Sequence, residues 1–211
     1  MDGVLFLSSE IHHLAFCEAL IDEPVEVLDY CELAGMRTDS ALRKIFNQSG
    51  VDLSSKKLNE LVFRKRKYAA EMLQKHPPIA PNCHEVIVEL YRRGILLALA
   101  SSSSIQNVQL FLDFTRTQEF FSVILSGEDV KNAKPKPEIF RTARNYLGLL
   151  SQFCFVIEDS ESGIRGAQAD DMKVIGVVGL HTRRELELFG SIATISRLDE
   201  LLQLNEFQHG T

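Results

Sequence analysis

The chain has 211 residues, 45% apolar and 25% charged, enough to bury one sizeable core or a core with a small inserted unit. A net charge of -6 disfavours nonspecific attraction to nucleic acid or anionic membrane, since both need surplus positive potential. No apolar stretch approaches the roughly 20 residues that span a bilayer.

Met1-Asp2-Gly3-Val4-Leu5 opens the chain with an acidic turn pair followed by apolar residues. Residues 11 to 76 then carry helical periodicity and no convincing strand. Ile11, Leu14, Ala15 and Leu20 recur near helical spacing, as do Val25, Leu28 and Leu33, then Leu42, Ile45 and Phe46. Leu58, Leu61, Val62, Tyr68, Met72 and Leu73 mark a longer helix. His12 and His13 fall in the first of these helices, where a surface or capping role is expected. His76-Pro77-Pro78 ends the last one, because proline disfavours helix before it and donates no backbone hydrogen bond.

From residue 82 the pattern alternates. Helix is expected at 82–93, strand at 95–100, helix at 104–113 and strand at 122–125. Helix follows at 137–147, strand at 154–157, helix at 161–169 and strand at 174–178. Strands joined by helical crossovers imply an α/β fold with a parallel sheet covered on both faces. In such sheets ligands bind beyond the carboxyl ends of the strands, and the unusual polar residues cluster at those ends.

Three downstream segments there carry chemistry. The strand running into Ser101-Ser102-Ser103-Ser104 offers hydroxyls and backbone N–H groups at a helix start, a phosphate cradle, although a serine cap explains the residue type equally well. Lys134 is followed by Pro135, Lys136 and Pro137, which fix the backbone around a compact cation suited to phosphate. Glu158-Asp159-Ser160 puts adjacent carboxylates after a buried strand, the oxygen-rich donor set that magnesium takes. The cysteines, Cys17, Cys31, Cys83 and Cys154, form no C-x-x-C pair, so a reducing compartment is expected.

With these motifs in order, the chain resembles the haloacid dehalogenase (HAD) superfamily, in its β-phosphoglucomutase-like (CbbY-like) branch. Asp2-Gly3-Val4-Leu5 is similar to that family's D-x-D-G-V/T-L/I motif, and Leu99-Ala100-Ser101 to its strand-ending serine or threonine. Lys134-Pro135-Lys136-Pro137-Glu138-Ile139-Phe140 resembles K-P-x-P-x-x-F, and Glu158-Asp159-Ser160 with Gly163-Ile164 resembles E-D-S-x-x-G-I. The resemblance implies a Rossmann-like core of residues 1–10 and 77–211 with an inserted helical cap, residues 11–76. It implies a phosphatase-like hydrolase of small phosphorylated metabolites, sugar phosphates above all, acting through an aspartyl-phosphate and using Mg2+. A sugar phosphomutase and a noncatalytic relative are the alternatives.

By position, Asp2 is implied as general acid/base, with its backbone carbonyl on the metal. Ser101 and the Ser102 N–H are implied to hold the phosphoryl group, Lys134 to balance its charge, and Glu158 with Asp159 to hold the metal. Gly35-Met36-Arg37-Thr38 resembles a specificity loop, and Lys65 within Arg64-Lys65-Arg66-Lys67 a cap lysine meeting the substrate's distal group. The nucleophilic aspartate falls immediately before Met1, on a central strand the resemblance also places there, so the chain as written is expected to be nearly inactive. The remaining expectations are no nucleic-acid or membrane partner, a monomer, and a cytoplasmic location, or an organelle stroma if a targeting segment lies upstream.

Overall fold

A computed structural model describes residues 1–207. Helices α1 (Ser9–Leu20), α2 (Thr38–Gln48) and α3 (Ser55–Lys75) pack around their own apolar cluster, which includes Phe16, Leu33, Leu42, Phe46 and Leu61. Ser54 caps α3 by accepting a hydrogen bond from the Lys57 N–H, and the helix stops before Pro77. Two features differ from the sequence reading. The periodic Val25, Leu28 and Leu33 do not form a helix; only a 3-10 turn at Tyr30–Glu32 forms, capped by Asp29, whose side chain accepts from the Cys31 N–H. The inward face of α1 is His12, Ala15, Phe16 and Ala19, whereas Leu14 is 43% exposed.

The rest alternates helix and strand: α4 (Cys83–Arg92), β1 (Leu97–Ala100), α5 (Ile105–Thr115), β2 (Phe121–Leu125), α6 (Glu138–Leu147), β3 (Phe155–Glu158), α7 (Glu161–Gln168) and β4 (Lys173–Val177). Every element expected from residue 82 onward is present within a few residues of its expected bounds. Helix α8 (Arg183–Phe189) and strand β5 (Ala193–Ile195) add a further crossover beyond the last expected strand. The signal for α8 was Thr182 and Glu185, which form a reciprocal capping box at its start.

All strand pairs are parallel, but they form two sheets in place of the single one expected: β1–β2, and β3–β4–β5. No ladder joins β1 to β3 among the described residues. Between them runs a slot of about 240 Å³. One face of both sheets is covered by a cluster containing Val86, Leu90, Leu99 and Ile175, the other by a cluster containing Phe140, Ala143, Val156 and Val174. Residues 5–7 and 78–80 hydrogen-bond side by side, Leu7 N–H to the Pro78 carbonyl and Ala80 N–H to the Leu5 carbonyl, so the chain enters and leaves the helical unit at one point.

Candidate active site

One pocket gathers residues from four places: Asp2, His12 and Lys65 from the amino-terminal loop and helices, Ser101–Ser104 after β1, Lys134 before α6, and Glu158-Asp159 ending β3. The serine run divides its work. Ser104 caps α5 by accepting from the Asn107 N–H, while Ser101 and Ser103 turn their hydroxyls to Asp2 Oδ2 at 3.4 and 2.8 Å. Ser102 donates from its hydroxyl to the Gly35 carbonyl at 2.7 Å, tying the loop before α2 to the site.

Asp2 also accepts from Ser8 Oγ at 2.6 Å and faces His12 Nε2 at 3.1 Å. His12 Nδ1 in turn lies 3.0 Å from Lys65 Nζ. An ammonium only donates, so Nδ1 accepts, which puts the ring proton on Nε2 and aims it at Asp2. Burial alone would raise the Asp2 carboxyl, but His12, the positive charge of the nearby Met1 amino group and the Ser8 hydroxyl outweigh it and hold Asp2 well below the usual carboxylate range. Burial pushes the Lys65 ammonium down to about 8 although Asp2 opposes the shift, and burial with the Lys65 charge lowers His12. The Lys65 ammonium also lies 4.7 Å from the Phe16 ring centroid.

The second acidic group is arranged differently. Lys134 Nζ meets Glu158 Oε1 at 2.5 Å and lies over the Phe140 ring. Glu158 Oε2 takes the Ser160 hydroxyl and the N–H groups of Asp159 and Ser160. Burial opposes ionisation of Glu158, yet Lys134 keeps its carboxyl below the ordinary value. Asp159 is pushed up to about 7 by burial and by the adjacent Glu158 charge. Two close backbone approaches fix the pair: a Cβ on Gly3 would fall 1.8 Å from Asp159 Oδ2, and one on Gly163 would fall 2.0 Å from the Glu158 carboxyl carbon. Gly3 also has φ +72°, so the turn that brings this backbone onto Asp159 favours glycine twice over.

This donor set fits a hard divalent cation. It is oxygen-only, it holds two buried carboxylates against one ammonium, and burial with the Glu158 charge disfavours ionisation of Asp159, a penalty that a cation would relieve. Ser160 meanwhile caps α7 by accepting from the Gly163 N–H, so capping and acid placement coexist in that motif.

Of the residues singled out from sequence, Asp2, Ser101, Ser102, Lys65, Lys134, Glu158 and Asp159 all line the pocket. Arg37 does not. Its guanidinium is held by both Asp39 oxygens, at 2.7 and 3.0 Å, and by the carbonyls of Gly127 and Val130. Arg66 lines the pocket instead, paired with Glu128 at 2.6 Å, and its Nε is buried without a partner. His12, expected at a surface or cap, is only 4% exposed. Its spacing with Ala15, Phe16 and Ala19, at i+3, i+4 and i+7, was the available signal that it faces inward. Ser8 and Ser103 left no local sign beyond being hydroxyls near motifs.

The family model described as haloacid dehalogenase-like hydrolase matches residues 1–177. The chain is 27% identical over 217 residues to Protein CbbY of Cereibacter sphaeroides, covering 94% of each chain. It is 28% identical over 183 residues to the beta-phosphoglucomutase of Bacillus subtilis (strain 168), covering 84% of this chain and 80% of that one. Its fold matches that of CbbY from Rhodobacter sphaeroides, solved in complex with xylulose-(1,5)bisphosphate, with a TM-score of 0.78 and 27% identity over 95% of this chain and 93% of that one. The motifs, the parallel strands ending at one acidic pocket and this match over most of its length agree: the chain belongs to the haloacid dehalogenase-like hydrolases.

Proposed function

We propose that this fold serves magnesium-dependent phosphoryl transfer from a small sugar phosphate, with helices α1 to α3 acting as a cap over the pocket. The observation that carries this reading is the line Lys65–His12–Asp2 pointing at Ser101 and Ser103, beside Lys134 and the Glu158-Asp159 pair. Asp159, Glu158 and the Asp2 backbone carbonyl would hold Mg2+, which when bound neutralises phosphoryl oxygens.

In this reading a carboxylate on a strand leading into Met1 attacks phosphorus, and the bond from phosphorus to the sugar oxygen breaks. Asp2 gives that oxygen its proton, then takes one from the water that hydrolyses the aspartyl-phosphate, releasing phosphate and restoring the carboxylate. At rest Asp2 is ionised, so it must first gain a proton. The serine hydroxyls that now stabilise its charge are the same ones a phosphoryl group would draw away, which raises its proton affinity as substrate arrives. His12 can pass its Nε2 proton to Asp2 while Nδ1 takes one from Lys65, whose ammonium is already a stronger acid than an exposed lysine. The unpartnered Arg66 Nε supports a substrate whose far end carries an anion, in keeping with the bisphosphate held by the Rhodobacter sphaeroides CbbY.

The test is phosphate release from a panel of sugar mono- and bisphosphates with Mg2+, using protein extended ahead of Met1 by an apolar strand ending in Phe-Asp or in Phe-Asn. Release by the Asp form alone is expected; equal release by both forms, or none from any substrate, overturns the reading. The beta-phosphoglucomutase similarity makes one rival specific, a sugar phosphomutase, and an isomeric sugar phosphate accumulating in place of free phosphate would favour it.

A further inference from the structure

We propose that Asn107 is a specificity residue, whose buried side-chain amide hydrogen-bonds a hydroxyl in the part of the substrate beyond its phosphoryl group. This rests on the phosphoryl-transfer reading above and adds a requirement to it: the substrate must carry a hydroxyl where Asn107 meets the pocket. A phosphate ester with a plain alkyl chain is then a poor ligand, however well its phosphate is held.

Packing alone does not account for an amide here. Asn107 is the third residue of α5, and with Phe111 and Thr115 at i+4 and i+8 it lies on the buried face of that helix. An apolar side chain would continue the face, and leucine is also the better helix former. The Asn107 backbone N–H donates to Ser104 Oγ at 3.5 Å, so capping uses the main chain of this residue and leaves its side chain unexplained. The residue is 3% exposed, yet its Oδ1 is buried without a hydrogen-bond partner among the described residues. A bare buried acceptor destabilises a fold, and such a group calls for a partner that the chain itself does not supply.

The pocket indicates what that partner is. Asn107 lines the candidate active site together with the serine run that precedes it. Other acceptors there are already filled: Asp2 takes His12 and the hydroxyls of Ser8, Ser101 and Ser103, and Glu158 takes Lys134 and Ser160. The cations lining the same space, Lys65, Arg66 and Lys134, only donate. A ligand carrying anionic groups alone therefore satisfies the cations and leaves Oδ1 bare, or sets a second oxygen anion against it. A hydroxyl meets both needs, because its O–H donates to Oδ1 while its oxygen still accepts from a neighbouring donor. Sites built to hydrogen-bond a substrate hydroxyl reject the analogue that lacks it, since the buried group is then unpaired.

The experiment measures, by calorimetry on the full chain with Mg2+, the binding of ribitol 5-phosphate and of pentyl phosphate, which match in carbon number and charge and differ in their hydroxyls. Ribitol is the phosphate-free control. Wild type should prefer the polyol ester, and in Asn107→Leu the ratio of the two dissociation constants should fall about tenfold, with pentyl phosphate held as well as before. Asn107→Ala, which removes the amide without adding bulk, should show the same fall. Asn107→Asp keeps the shape and the acceptor oxygens, so it should hold the ratio within about threefold even where its charge weakens both esters. The ratio separates recognition from a structural role, because a variant that merely disturbs α5 weakens both esters alike. No preference in wild type, or a ratio unchanged within about twofold in both the Leu and the Ala variants, overturns the assignment of Asn107 and leaves the phosphoryl-transfer reading standing. Binding of neither ester, or binding of ribitol as tight as that of its phosphate, overturns that reading and this inference with it.

Discussion

Replacing Lys65 with methionine should make the protein more stable while disabling its proposed proton path. Lys65 is 6% exposed, and burial holds its ammonium near 8 against an ordinary 10.5. At about 1.4 kcal/mol per tenfold change in acidity, keeping that charge buried at neutral pH costs roughly 3 kcal/mol. Methionine fills similar space without a charge. Set against this are one hydrogen bond to His12 and the contact over Phe16, together about 1–2 kcal/mol. A net gain of about 1–2 kcal/mol at pH 7 follows, in line with other buried charges replaced by apolar groups.

The pH dependence identifies the cause. Because the folded-state value is depressed, the wild-type penalty is complete below about 8, where folded and unfolded chains are both protonated, and it fades as the pH rises from 8 to 10.5. The advantage of K65M should therefore be largest at pH 7 and vanish or reverse near pH 10.5. Urea unfolding followed by circular dichroism at pH 7, 9 and 10.5 measures this directly. A loss of stability at pH 7, or a difference that ignores pH, would refute the account of Lys65 as a strained buried charge.

Asp159→Asn removes the acid held near 7; since a raised acid favours the fold most below about 3.8 and loses that contribution as pH passes 7, the variant should gain on wild type from pH 4 to 7 and stay level above, in melting curves without metal. Under the proposed function, added Mg2+ should raise the melting temperature of the wild type and leave that of this variant unchanged. Gly3→Ala forces a Cβ into the Asp159 carboxylate at a positive φ, and should cost about 2 kcal/mol or more in urea unfolding together with Mg2+ affinity by calorimetry. Arg37→Ala removes contacts between the loop before α2 and the Gly127 and Val130 carbonyls; amide exchange in residues 30–40 should rise roughly tenfold, with the exchange of β4 unchanged.

The elements from residue 82 to 178 were legible because each is a short apolar run or an amphipathic stretch, most of them closed by Gly or Ser, and their burial follows that pattern. The motif residues were legible because their spacing to strand ends is local. What the sequence hid is long-range. His12 owes its role to Asp2 and Lys65, which lie 10 and 53 positions away, and neither separation has a periodic signature. Arg37 was read from its neighbours in the loop, but Asp39, two residues on, captures both arms of its guanidinium. The division of the sheet was hidden for the same reason: each strand is locally sound, and only the pairing of β1 and β3 with their outer neighbours reveals an open interior edge.

The backbone contacts at Gly3 and Gly163 also bear on mutational access. Every single-nucleotide change of a glycine codon that yields another residue introduces a Cβ, and at these two positions that atom falls within about 2 Å of the acidic pair, a contact no side chain tolerates without displacing it. Gly3 and Gly163 therefore have no neutral replacement, although neither residue contributes a functional group. In a saturation scan scored for metal binding, these side-chain-free sites should be as intolerant as the carboxylates themselves, and a genetic screen would identify them as part of the site before any chemistry was known.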